Sequence, residues 1–303
     1  MRVLVTGGHG YFGSMLALRL LAKGYVVRTL DIVPSRINLD KNEMKDIEMT
    51  IGDIRDTATI KRSLENVDAV IHAAAIVGEA PCSKNPTLAR DINELATYQL
   101  VDAAKALGVK KFILISTCSV YGYSEGVVDE SSRVVPTSIY QETKINAERY
   151  TINAGESNFR SLILRMATLF GESPCPKTDT LLHTFINEAV TKGEITVYDV
   201  YAWRPFIHVA DAADATILLL ESNMESGEII NVGGDELNIQ KIEVARKIAK
   251  HFPGTTIKEV DIPDSRSYRV SFRKIRQTIG FTPRLTLDDG ILEIKKNIYN
   301  ASL

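Results

Sequence analysis

Residues 2–13 read Arg2-Val3-Leu4-Val5-Thr6-Gly7-Gly8-His9-Gly10-Tyr11-Phe12-Gly13. An apolar, β-prone run over Arg2–Thr6 meets the triplet Gly7-x-x-Gly10-x-x-Gly13. A helical pattern over Tyr11–Ala22 follows, with Met15, Leu16, Leu18, Leu20 and Leu21 apolar. A glycine triplet alone is a weak signal. Between a strand and a helix it is a strong one, because the turn then aims backbone N–H groups and a helix N-terminus at a pyrophosphate. Glycine is needed there because phosphate approaches the backbone closely and strand and helix pack tightly.

Working outward, Val26–Asp31 reads as a second strand that ends on an acid 24 residues after Gly7. That is near the ~20 residues expected for the carboxylate that hydrogen-bonds an adenosine ribose. A carboxylate there repels a 2′-phosphate and favours NAD over NADP. Arg36 is the alternative that would bind such a phosphate, and the strand-end position favours Asp31. Further strands are expected at Ile47–Ile51, Ala69–His72 and Phe112–Ser116, with helices at Thr57–Leu64 and Asn93–Leu107. This alternation predicts an α/β fold with a Rossmann-like, doubly wound parallel sheet. Past Gly171 the punctuation by Gly and Pro increases, as at Pro174, Pro176, Pro205 and Pro253-Gly254. Elements such as Leu181–Thr191 and Val209–Glu221 follow. A Rossmann domain is expected over 1–170 and a smaller C-terminal α/β substrate lobe over 171–303. Part of 207–232, such as Glu228–Val232, is a candidate to return to the first sheet.

Composition narrows the function classes. The 303 residues are 45% hydrophobic and 24% charged, which suits a folded core and excludes disorder as the main state. Lys and Arg number 36 against 38 Asp and Glu, a net charge of −2, so bulk charge drives the chain neither to nucleic acid nor to anionic membrane. Cys82, Cys118 and Cys175 are odd in number and lack CxxC spacing, so neither a disulfide framework nor a cysteine metal site is expected. No apolar run approaches the ~20 residues of a membrane span. The N-terminus turns to glycine too early for a signal peptide, so a cytoplasmic location is expected.

Chemistry enters with Tyr140-Gln141-Glu142-Thr143-Lys144. Residues four apart share a helix face. An ammonium beside a phenol lowers its pKa from ~10 toward working pH, so this tyrosine can exchange a proton while hydride moves to or from a nicotinamide. Ser116-Thr117-Cys118-Ser119-Val120-Tyr121-Gly122 lies at an expected strand end, where open α/β sheets bind ligands. Cys118 has no evident activating base and reads as a small buried residue.

Together with Gly52-Asp53-Ile54, His72-Ala73-Ala74-Ala75 and Arg204-Pro205-Phe206-Ile207-His208-Val209, these segments give the chain a clear likeness. It resembles the extended short-chain dehydrogenase/reductase superfamily, specifically its NAD-dependent nucleotide-sugar epimerase/dehydratase family, over nearly the whole length. The resemblance implies NAD as cofactor and a nucleotide-diphosphate sugar as substrate. Gly7, Gly10, Tyr11, Phe12 and Gly13 would cradle the cofactor and Asp31 would hold its ribose. Asp53 and Ile54 would flank the adenine. Ala73, Ala74, Ala75 and Asn93 would line the cofactor. Tyr140 would be the acid/base, Lys144 its partner and a nicotinamide-ribose ligand, and Thr117 the hydroxyl that binds the reacting sugar oxygen. Arg204 and Arg269 are the candidates to face the diphosphate, for which a forked donor is well suited. Thr168 stands near the place of the family's asparagine. Trp203 reads as packing, and His72 and His208 as structural.

One departure matters. Cys118 and Ser119 stand where the family's dehydratases carry an acidic pair, so loss of water is not expected. The resemblance then implies an epimerase working by transient oxidation, at C4, through a 4-keto sugar. The alternative on the same residues is a net C4 dehydrogenase or 4-ketoreductase. A non-catalytic NAD-binding protein is a minor third reading. A homodimer is expected through a four-helix bundle, with Ile145, Ala147, Tyr150 and Thr151 available either for that face or for the chain's own sheet. Substrate choice is expected to rest on loops at Ile76–Pro86, Glu172–Thr180 and Asp199–Arg204.

Overall fold

Val3, Leu4 and Val5 are fully buried, Val3 and Val5 toward one face of the central sheet and Leu4 toward the other. Strands covered on both faces read as continuous apolar runs. Neighbouring strands repeat the alternation, with Ile71, Ile113, Leu162 and Leu164 on the first face and Val70, Phe112, Leu114 and Ile163 on the second. In the computed structural model, which describes residues 1–34, 45–262 and 266–301, seven parallel strands form this sheet. Their order is Ile47–Ile51, Val26–Asp31, Arg2–Thr6, Ala69–His72, Lys111–Thr117, Arg160–Met166, Glu228–Val232. Helices Tyr11–Ala22 and Val209–Glu221 cover one face, and Thr57–Ser63, Ala96–Ala106 and Ile139–Asn153 the other. Arg36 lies outside the described residues.

The strand order reverses beside Arg2–Thr6. The chain steps outward through Val26–Asp31 and Ile47–Ile51, then returns to the opposite side with Ala69–His72. A crevice opens at the carboxyl edge of such a switch point, and ligands bind there. The residues that follow the two strands, Gly7 onward and Ala73 onward, flank it.

The five expected strands are present, the fifth one residue longer at each end. Glu228–Val232 returns to the sheet, pairing in parallel with Arg160–Met166. A separate core of Phe170, Phe185, Ile195, Phe206, Ile248 and Ile291 lies beneath helices Leu181–Lys192, Lys241–His251 and Leu287–Ala301.

Two expectations change and one open choice is resolved. The helix expected at Asn93–Leu107 is a relay of Pro86–Arg90, a π-helical turn Asp91–Leu95 and Ala96–Ala106. Asn85 starts it by accepting from the Leu88 N–H at 3.1 Å, and Pro86 fills the first helical position, where its missing N–H costs nothing. The span Ile76–Pro86, expected as a loop, contains helix Glu79–Lys84. Ile145, Ala147 and Thr151 are buried within the chain itself, so they cannot form an intersubunit face. Tyr150 stacks on Tyr98 with ring centroids 4.0 Å apart. Among the described residues no helix is long and apolar enough to cross a membrane.

Candidate active site

Gly7 adopts a positive φ of 69°, and a Cβ there would sit 2.8 Å from the Ala74 amide nitrogen. At Gly13 a Cβ would lie 2.0 Å from the Gly7 carbonyl oxygen. Gly10 caps helix Tyr11–Ala22 in an extended conformation with no side-chain hydrogen bond, so the first-turn N–H groups keep their positive potential for an anion. This cradle fits a pyrophosphate. Tyr11 and Phe12 offer this turn only their backbone, because both side chains are buried and the Tyr11 hydroxyl donates to the Gly171 carbonyl at 2.7 Å. Gly13→Ala is expected to cost about 1–3 kcal/mol by overpacking, read by denaturant unfolding, and to abolish NAD binding in a fluorescence titration.

Asp31 closes the same turn. Its carboxylate accepts from the His9 N–H at 3.0 Å and the Val33 N–H at 3.2 Å. The Asp53 carboxylate is gripped by Arg55, at 3.0 Å from Nε and 2.6 Å from Nη2, which holds it below the usual carboxylate range. Ile54 is buried against the helix layer with Ile60. Ala73 and Ala74 are pinned to Thr6, whose carbonyl and hydroxyl accept from their N–H groups at 3.1 and 3.3 Å. Asn93, buried in the π-helical turn, spends its amide on the protein. Its Oδ1 accepts from the Ile76 N–H at 2.7 Å and its Nδ2 donates to the Ile76 carbonyl at 2.9 Å. It thus positions the segment after Ala75 rather than presenting its own polar atoms.

The candidate reacting groups Tyr140 and Lys144 lie on helix Ile139–Asn153. Ser138 caps it by accepting from the Gln141 N–H at 3.2 Å, and Gln141 reaches back to the Thr137 N–H at 2.7 Å. This helix buries Gln141, Thr143, Lys144, Glu148 and Thr151, an unusual polar load that marks a site rather than a packing face. Lys144 donates to the Ile115 carbonyl at 2.7 Å. Burial pushes its pKa down to about 8, against the opposing charge of Glu148. Tyr140 is buried as well, and burial raises its pKa above the ordinary range. Cys82 and Glu79 add to the rise, and a hydrogen bond with Thr117 opposes it. The lowering expected from Lys144 is therefore overridden in this structure. Thr117 ends strand Lys111–Thr117 and accepts from the Ser119 N–H at 3.1 Å.

Three side chains prove structural. Cys118 is buried, donates to the Arg165 carbonyl at 3.2 Å and has its thiol pKa raised by burial. The His72 ring lies between the Thr6 and Thr97 hydroxyls at 2.6 and 2.9 Å, and burial pushes its pKa down to about 3. His208 accepts from the Ala210 N–H at 3.2 Å and meets Glu293 at 2.8 Å.

On the facing side, Arg204 is buried, donates to the carbonyls of Trp203 and Arg266, and lies over the Tyr268 ring at 5.6 Å. Arg269 lies over Trp203 at 5.3 Å and donates to the Glu125 carbonyl at 3.0 Å, so Trp203 packs as expected. Thr168 pairs in register with Phe206, two residues from Arg204. Two carboxylates near the site were missed in the sequence. Glu148 follows Lys144 by four residues and shares its face, a spacing that pointed to it. Glu79 gave no such signal.

A switch-point crevice with an uncapped glycine turn on one side and a Thr–Tyr–Lys set on the other defines an extended short-chain dehydrogenase/reductase. Within that class the chain belongs to the NAD-dependent epimerase/dehydratase family, whose model matches residues 3–233. A UDP-glucose 4-epimerase of Rhizobium meliloti (strain 1021) is 30% identical over 312 residues, covering 94% of this chain and 93% of the relative. A dTDP-glucose 4,6-dehydratase of Streptomyces niveus is 26% identical, covering 97% and 91%. Among solved structures, the UDP-glucuronic acid 4-epimerase from Bacillus cereus, in complex with UDP-glucuronic acid and NAD, superposes with a TM-score of 0.87 at 26% identity. That match covers 99% of this chain and all of the other.

Proposed function

We propose that the chain is a nucleotide-sugar epimerase that inverts a sugar carbon, C4, by transient oxidation to a 4-keto sugar. The observation that carries this reading is Thr117 beside Tyr140 with Lys144 one turn away, while the two residues after Thr117 are a buried thiol and a hydroxyl. Loss of water needs an acid at that point, and none is supplied there. The similarity to UDP-glucose 4-epimerases supports the same reading.

NAD, when bound, would supply the hydride acceptor for oxidation of the sugar carbon and, once reduced, the hydride donor for its return. The first-turn amides from Gly10 to Gly13 would hold its pyrophosphate and Asp31 its ribose. Asp53, Ile54 and Ala73–Ala75 would line it, with Asn93 shaping the last of these. Tyr140, a neutral phenol in the ligand-free chain, has to ionise in the loaded site before it accepts the proton of the C4 hydroxyl, which it later returns. Thr117 orients that oxygen. The Lys144 ammonium favours the phenolate and holds the nicotinamide ribose. Arg204, with Arg269 and Thr168, faces the substrate diphosphate from the C-terminal lobe, residues 171–303 apart from the returning segment.

The test is to incubate the protein with NAD and a panel of nucleotide sugars and to read product masses by liquid chromatography and mass spectrometry. A product of unchanged mass and shifted retention is expected. A shift of two mass units, matched by net cofactor turnover, would instead establish a dehydrogenase or reductase. We also propose a homodimer, expected as a doubled mass in size-exclusion chromatography with light scattering and refuted by a monomer mass at micromolar protein.

A further inference from the structure

Glu79 takes no part in the proton or hydride transfer, yet its charge bears on Tyr140 and Cys82. It opens helix Glu79–Lys84, which packs on helix Ile139–Asn153. Both carboxylate oxygens are shut away from solvent, and among the described residues neither accepts a hydrogen bond. A guanidinium nitrogen of Arg266 stands 3.8 Å from Oε1, close enough for attraction but beyond hydrogen-bond reach. Burying an ionised carboxylate with empty acceptor positions is costly, and unsatisfied groups of this kind are rare in folded chains. Donors that arrive with a ligand would fill those positions.

The surroundings say which part of a ligand that is. The Arg266 carbonyl accepts from Arg204, and Arg204 lies over Tyr268. Tyr268, like Glu79, bears on Tyr140. Glu79 is thus linked to the diphosphate-facing arginine on one side and to the reacting phenol on the other. A nucleotide sugar spanning those two places its sugar at Glu79.

We propose that Glu79 reads the sugar, accepting hydrogen bonds from the hydroxyls of an uncharged hexosyl group and excluding sugars that carry a carboxylate. The inference deepens the nucleotide-sugar reading and rests on it. Hydroxyls donate to a carboxylate, whereas the carboxylate that a uronate carries in place of one hydroxyl has no proton to give at neutral pH and sets like charges together beside oxygens shielded from water.

Wild type, Glu79→Gln and Glu79→Val, each loaded with NAD, are compared on UDP-glucose and UDP-glucuronic acid by steady-state kinetics and by calorimetric binding. Wild type is expected to prefer UDP-glucose ~100-fold or more. Glu79→Gln is expected to raise KM for UDP-glucose ~10- to 100-fold, the worth of hydrogen bonds to a charged group, with a smaller change in kcat. The preference over UDP-glucuronic acid narrows in both variants, while NAD affinity and Tm stay at wild-type values, which excludes misfolding. Equal use of the two sugars by wild type, or variants with unchanged KM and preference, would overturn the proposal. If no sugar reacts but binding still shows the Glu79-dependent preference, the epimerase reading falls and this one stands. Turnover without Glu79 dependence gives the reverse, and absence of both turnover and binding removes both.

Discussion

Replacing Tyr140 by phenylalanine is expected to lower kcat by about 10²- to 10⁴-fold, the usual worth of a positioned acid/base. NAD and substrate binding stay near wild type. The ring packs against Cys82 and Ala89 and is retained in the variant, so the change removes the hydroxyl and little else. The pH profile adds a second readout. Burial raises the Tyr140 pKa, so the titration that falls within the working range belongs to Lys144, at about 8. Below that pH Lys144 is an ammonium, which on the proposed mechanism favours the Tyr140 phenolate that takes the sugar proton. As pH rises through about 8 the charge is lost and kcat/KM falls with it. Lys144→Met is expected to lack this alkaline limb and to run at a low, flat rate. Near-normal turnover by Tyr140→Phe would overturn the mechanism.

The contrast between Lys144 and Tyr140 shows where sequence reading stops. Spacing put the two on one helix face, and the structure agrees. Spacing carries no information on depth, and depth sets the direction of both shifts. The sheet was legible because each strand is an apolar run between turn residues, and Gly7, Gly10 and Gly13 announced their own crowding. The π-helical turn at Asp91–Leu95 was not, because it answers to a tertiary bond from Asn93 to Ile76 across 17 residues. Ile145, Ala147 and Thr151 were equally suited to a partner or to the chain's own core, and packing decided for the core. Glu79 and Glu148 are acids on helices, which ordinarily means a solvated face. The burial of Glu148 and the shielding of the Glu79 oxygens follow from elements folded over them from elsewhere in the chain.

Glu148 also carries the largest expected effect on stability. Glu148→Leu leaves the Arg165 guanidinium without its counter-charge in the core, and the expected loss is about 3–5 kcal/mol. The pair is almost fully enclosed, with side chains 3% and 4% exposed. Arg165 Nη2 stands 2.7 Å from Glu148, and its Nε lies 3.1 and 3.2 Å from the two carboxylate oxygens. Burial alone would weaken the guanidinium's hold on its proton, and the Glu148 hydrogen bonds more than offset this. Ser116 donates to the same carboxylate. Arg165 Nη1 donates to the Tyr121 hydroxyl at 3.0 Å, and Tyr121 donates to Asn231 at 2.8 Å. The network ties helix Ile139–Asn153 to strands Lys111–Thr117, Arg160–Met166 and Glu228–Val232. Pairing Glu148→Leu with Arg165→Met removes both charges and should recover most of the loss, as a double-mutant cycle in denaturant unfolding would read. A double variant whose loss equals the sum of the two single losses would show that the two charges are not coupled. The same carboxylate reaches the chemistry, because its charge favours the Lys144 ammonium. Glu148→Gln removes that support, so the alkaline limb of the pH profile should move below its wild-type position near pH 8. A limb that stays in place while stability falls would confine Glu148 to the fold.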